Sequence, residues 1–103
     1  MTERERRMTE NETMWRDLNE ADPPEPGRVE FVFCECGHAG CTEQLPISWS
    51  DYERVRAVPT HFIVVPGHEE AEIERLVASA DGFAVVEKEG EAALIAERTD
   101  PRS

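Results

Sequence analysis

The chain has 103 residues, enough for one domain with a modest core, and only 39% of them are hydrophobic. Its 23 acidic and 11 basic residues give a net charge of −12, and none of its segments is basic, which argues against the usual electrostatic footprint of a nucleic-acid binder. No run approaches the roughly 20 consecutive apolar residues that a membrane-spanning helix needs. The charged opening MTERERRMTENE has no apolar stretch behind it, so it does not read as a secretory signal. A cytoplasmic location is expected, where clustered thiols bind metal more often than they form structural disulfides.

Residues 3–20 read as a helix of strong helix formers, with Met8, Trp15 and Leu18 in a narrow apolar stripe around Asn11. Such a stripe can dock on a core or a partner but is too thin for a stable isolated helix. The prolines and glycine of DPPEPG (22–27) break it. RVEFVF (28–33) reads as a strand ending at Cys34, and TEQLPI (42–47) as a short second strand that Pro46 confines to an edge. Ser48 and Asp51 form a capping box for a helix through YERVRA, with Ile47 placed to staple onto Tyr52.

FIVV (62–65) reads as a buried strand, followed by the Pro66-Gly67 turn into His68. The next stretch, EEAEIERLVASA, predicts a helix with Ile73, Leu76, Val77 and Ala80 on one face, ended by Asp81-Gly82. FAVV (83–86) reads as another strand, and residues 91–98 lean towards helix over strand. The expected fold is α+β: a zinc-stapled domain over 28–103 with a short antiparallel sheet and two or three helices. An N-terminal helix (1–22) and a Pro-rich linker (23–27) precede it.

All three cysteines lie within eight residues, as C-x-C-x4-C at Cys34, Cys36 and Cys41, around Gly37 and Gly40. Tetrahedral zinc takes four thiolate or neutral imidazole ligands, and this run supplies three. A disulfide between neighbours two apart would close a small strained ring, and any pairing leaves one thiol over. Structural zinc contributes about 10–16 kcal/mol of apparent binding energy, against about 2–4 for a disulfide. Zinc is therefore the expected cofactor.

The cluster resembles the post-SET zinc motif of histone lysine methyltransferases at Cys34, Cys36, Gly37 and Cys41. That resemblance implies a topology, with three thiolates from one turn and a fourth ligand from elsewhere. It implies no methyltransferase activity, because nothing else in the chain resembles a SET domain. From Phe31 onward, FVFCECGHAGCTE, DYERVRA and FIVVPGHE also resemble a family of small, functionally uncharacterised actinobacterial zinc-site proteins. That family implies no particular activity.

His68 is the favoured fourth ligand, because a Pro-Gly corner fixes its side chain and would tie the cysteine turn to the second half of the domain. His38 inside the turn and His61 at the entry to FIVV compete with it. Glu35, Glu69 or water complete the field.

No catalytic constellation is recognisable: H-E-x-x-H, G-x-S-x-G, the deaminase pattern and phosphate-binding glycine loops are all absent. Glu69 and Glu70 beside His68 could serve as acid–base groups, but acids suit the first turn of the predicted helix without any catalysis. A structural zinc site in a small regulatory or adaptor protein is the expected function, not an enzyme. The partner would be a protein or a second copy, engaged through the N-terminal helix, which the zinc domain would not need for its own fold. Nucleic acid and membrane are not expected partners. A thiol redox or zinc-responsive switch is the alternative, and a zinc enzyme with an open ligand position comes third.

Overall fold

The computed structural model describes residues 1–102. Its first helix, α1 (Glu3–Ala21), starts on a capping box. The Thr2 hydroxyl accepts from the Glu5 N–H at 3.1 Å, and the Glu5 carboxylate accepts from the Thr2 N–H at 2.8 Å. After the 22–27 break, β1 (Val29–Phe33) pairs antiparallel with β2 (Gln44–Ser48), placing Val32 opposite Leu45 and Phe31 opposite Pro46. Helix α2 (Trp49–Arg56) follows directly, its Asp51 N–H held by the Ser48 hydroxyl at 3.2 Å, with Ile47 and Tyr52 in one core cluster.

A second sheet is built from β3 (His61–Val64), β4 (Glu74–Ala80) and β5 (Phe83–Lys88), in the order β3-β5-β4 with antiparallel neighbours. Helix α3 (Gly90–Arg98) resolves the ambiguous tail as helical. Among the described residues there are three helices and two small antiparallel sheets, which is the α+β class expected. Phe62, Ile63 and Val64 on the outer strand β3 and Val86 on the central strand β5 are fully buried.

The helix predicted after His68 is not formed. A turn over residues 71–73 leads into β4, which pairs with β5 along its length apart from one irregularity between Leu76 and Ala78. Asp81-Gly82 is a hairpin turn rather than a helix stop: Ala80 pairs with Phe83, and Gly82 takes a φ of 91°, open to glycine at little cost. The helical spacing was real, but the buried run of β5 needs a strand on each side, and that tertiary demand outweighs local propensity. Leu76 is accordingly left on the surface.

The N-terminal helix also docks differently from its apolar stripe. Met8 is buried, yet Leu18 is 46% exposed and Trp15 lies half-buried against Phe33, ring centroids 5.0 Å apart. The buried face runs instead through Thr9, Glu12, Arg16 and Asn19, at helical three- and four-residue spacing. Glu12 and Glu74 both contact the Lys88 ammonium, and all three side chains are fully buried. Arg16 donates to the carbonyl oxygens of Pro59 (2.9 Å) and Ala96 (3.0 Å), and stacks on Phe62 with Lys88 nearby on the same ring. Asn19 takes both main-chain groups of Phe33, accepting from its N–H at 2.8 Å and donating to its carbonyl at 2.9 Å. Helix α1 is thus built into the domain across the proline break. The expectation of a helix that the domain could do without runs against this packing, because its inward face is polar and every buried polar group needs its partner.

Candidate metal centre

Strand β1 delivers Cys34, whose N–H donates to the Glu43 carbonyl at 2.9 Å and so continues the β1–β2 ladder by one pair. Residues alternate across an extended chain, so Cys34 and Cys36 share one side while Glu35 points to the other. The turn then brings Cys41 back, its N–H donating to the His38 carbonyl at 3.2 Å. His68 arrives from the far side of β3, held by its own N–H bond to the Val65 carbonyl at 2.9 Å. The ligand atoms of Cys34, Cys36, Cys41 and His68 lie within 4.8 Å of one another, close enough to hold a metal ion.

His68 presents Nδ1 to the sulfurs, at 3.6 Å from Cys34 Sγ and 3.8 Å from Cys41 Sγ. For zinc, bond lengths of about 2.3 Å to sulfur and 2.0–2.1 Å to nitrogen at a tetrahedral angle give an N···S edge of about 3.6 Å. The other ring nitrogen, Nε2, lies 3.1 Å from Glu43 Oε2. A proton on Nε2, donated to that carboxylate, leaves the Nδ1 lone pair facing the thiols, the arrangement in which a carboxylate orients a metal-binding imidazole. The donor set therefore fits a metal ion.

The thiols are electrostatically coupled. Cys36 is drawn down to about 5, first by the hydrogen bond from the Cys34 thiol and further by His68 and the His38 main chain, against the pull of burial. Cys34 is pushed upward by the same sharing and by burial, and Cys41 upward chiefly by burial. Cys34 Sγ also accepts from the Val65 N–H at 3.2 Å. Of the three, Cys36 is the thiol readiest to give up its proton as a cation binds.

The competing ligands are placed elsewhere. His61 pairs with Glu87 on the second sheet, Nε2 to Oε2 at 3.1 Å. His38 stacks on His68, ring centroids 5.1 Å apart, and its Nε2 meets Glu70 at 2.7 Å. Glu35 turns inward, fully buried: Oε1 accepts from the Ile63 N–H at 3.0 Å, and Oε2 from Asn19 at 2.8 Å and from Arg56. Glu69 is not in the cluster. Sequence reasoning missed Glu43 as the carboxylate behind His68; its place two residues beyond Cys41 was the one available signal.

Among the described residues, no helix is long and apolar enough to cross a membrane. No protein-family model, curated protein or solved structure matches the chain.

Proposed function

We propose that this chain is a zinc-binding α+β module whose metal is structural, and that it acts through protein contacts as a small regulatory or adaptor unit. The observation that carries the reading is the closed Cys3His donor set with His68 oriented by Glu43. Three thiolates and an imidazole saturate a tetrahedral ion and lower its Lewis acidity, which favours holding the fold over activating water. Exposed apolar side chains on β1, Val29 (62%) and Phe31 (67%), support the contact role.

The test is metal analysis of the purified chain beside Cys36→Ser, His68→Ala and His38→Ala. One zinc per chain is expected, lost together with cooperative unfolding in Cys36→Ser. His68→Ala should release zinc to a chelator far more readily than His38→Ala. A metal-free wild-type chain with an undiminished melting transition refutes the reading.

One observation favours a second reading, a thiol switch: Cys41, unlike Cys34 and Cys36, is not fully buried. Peroxide would then oxidise two thiolates to a disulfide, itself reduced to water, and release the zinc. Zinc release by about one equivalent of hydrogen peroxide, followed with a coloured chelator, separates the two.

A further inference from the structure

We propose that the groove between α1 and the metal-binding turn holds a short extended peptide bearing one basic and one acidic side chain. The proposal rests on the metal-site reading, since one wall is the turn bracketed by Cys36 and Cys41. The groove has a volume of about 990 Å³ and opens to solvent between α1 on one side and residues 37–39 with Gly67, Glu69 and Glu70 on the other.

Its length points to a peptide. The α1 wall includes Arg4, Arg7, Asn11 and Met14, spaced three to four residues apart on one helical face. Ten residues at a rise of 1.5 Å span about 15 Å. An extended chain advances about 3.3 Å per residue, so four to five peptide residues match that wall. The separation of the walls is fixed at one point by Gly37, where an added Cβ would lie 2.8 Å from Met8 Cβ. Asn11 fastens the same contact, its amide donating to the carbonyl oxygens of Cys36 (3.3 Å) and His38 (3.4 Å).

Its charges point to the peptide's chemistry. Most charged groups along the groove are engaged: Arg4 with Glu72, Glu10 with Arg6, and Glu70 with His38. Two are not. Arg7, exposed on the α1 wall, has no partner among the described residues. On the other wall Glu69 Oε1 is shielded from solvent and accepts no hydrogen bond. A shielded carboxylate oxygen without a donor is costly, and a turn of the Glu69 side chain towards a basic group in the groove would give it that donor. An acidic side chain on the same peptide meets Arg7, and Met14 and Ala39 offer apolar surface between.

The test titrates the zinc-loaded, ¹⁵N-labelled full chain with acetyl-KALAD-amide, acetyl-DALAK-amide and the uncharged acetyl-QALAN-amide. One charged order should produce saturable shifts at the Asn11, Gly37 and Ala39 amides and bind about fivefold or more tighter than the uncharged peptide. Arg7→Ala and Glu69→Gln should each remove most of that preference while zinc content stays at the wild-type value. Equal binding of all three peptides, no shifts, shifts mapping away from the groove, or variants that keep the preference would overturn the proposal. A chain that holds no zinc sinks the metal reading, and the groove with it. A zinc-loaded chain indifferent to the peptides overturns the groove alone.

Discussion

Replacing Glu35 by glutamine probes the link between the metal turn and the rest of the fold. The wild-type carboxylate offers two acceptor oxygens to three donors: the Ile63 N–H, the Asn19 amide and the Arg56 guanidinium. Glutamine keeps one acceptor and turns an NH2 group towards those donors. Arg56 is only 4% exposed and would lose its one fully buried counter-ion, retaining Glu20 at 3.8 Å. Removing one partner of a buried pair costs about 3–5 kcal/mol. At about 2.1 cal/mol/K per residue, the unfolding entropy of this chain is about 0.2 kcal/mol/K, so the expected fall in Tm is about 15–25 °C. Thermal unfolding by circular dichroism at fixed zinc, with zinc counted below the transition, gives both readouts. Zinc content should match wild type, because the Glu35 carboxylate faces away from the thiols. A fall of less than about 5 °C would show the buried pair to be dispensable. Loss of zinc from a still-folded variant would make Glu35 a ligand after all.

Burial pushes the Glu12 carboxyl well above its ordinary 4.5, with Lys88 opposing and Glu74 reinforcing the shift. The raised folded-state value means its contribution is full below the unfolded value and lost as pH rises through the folded one. The Tm of Glu12→Gln measured relative to wild type should therefore rise as the pH climbs above 4.5, whichever protein is the more stable at the start; parallel curves would refute the assignment. Gly37→Ala places a Cβ 2.8 Å from Met8 Cβ and 3.2 Å from Met8 Cα, an overpacking worth about 1–3 kcal/mol that should appear as a lower Tm. An unchanged Tm would mean that the turn yields freely. Deleting residues 1–22 removes Glu12, Arg16 and Asn19 from their buried partners, a loss comparable with the whole stability of a domain this size, about 5–15 kcal/mol. The remainder should not melt cooperatively even with zinc; a zinc-loaded remainder melting within a few degrees of the full chain would show the α1 contacts to be peripheral.

The Cys3His cluster, close enough to hold a metal ion, was the most legible part of the sequence, because ligand chemistry is written locally. Three thiols within eight residues announce themselves, and the Pro66-Gly67 corner marks His68 as a side chain held in place. Strands β1, β3 and β5 were equally plain from their β-branched and aromatic runs. What stayed hidden depends on partners far along the chain. Hydropathy assigns Glu12, Arg16 and Asn19 to solvent, and nothing nearby in sequence reveals that Lys88, Ala96 and Phe33 complete them. The same holds for β4, whose spacing suits a helix and whose conformation is settled by pairing with β5. Glu35 shows both sides: alternation alone turns it away from its cysteine neighbours, but its donors come from α1, α2 and β3.

The bond between Asn19 and Phe33 has a consequence for how the molecule behaves in company. A two-stranded sheet leaves rows of unpaired main-chain groups along its borders, and such borders recruit further strands from other molecules. At Phe33 a single side-chain amide imitates the peptide group of a neighbouring strand, offering one acceptor and one donor where another chain would dock. Lateral growth of the β1–β2 ribbon stops there on a side chain rather than on a third strand. An acidic protein at high concentration is thereby guarded twice against fibril-like stacking: by its net charge of −12 at long range, and at contact by one asparagine.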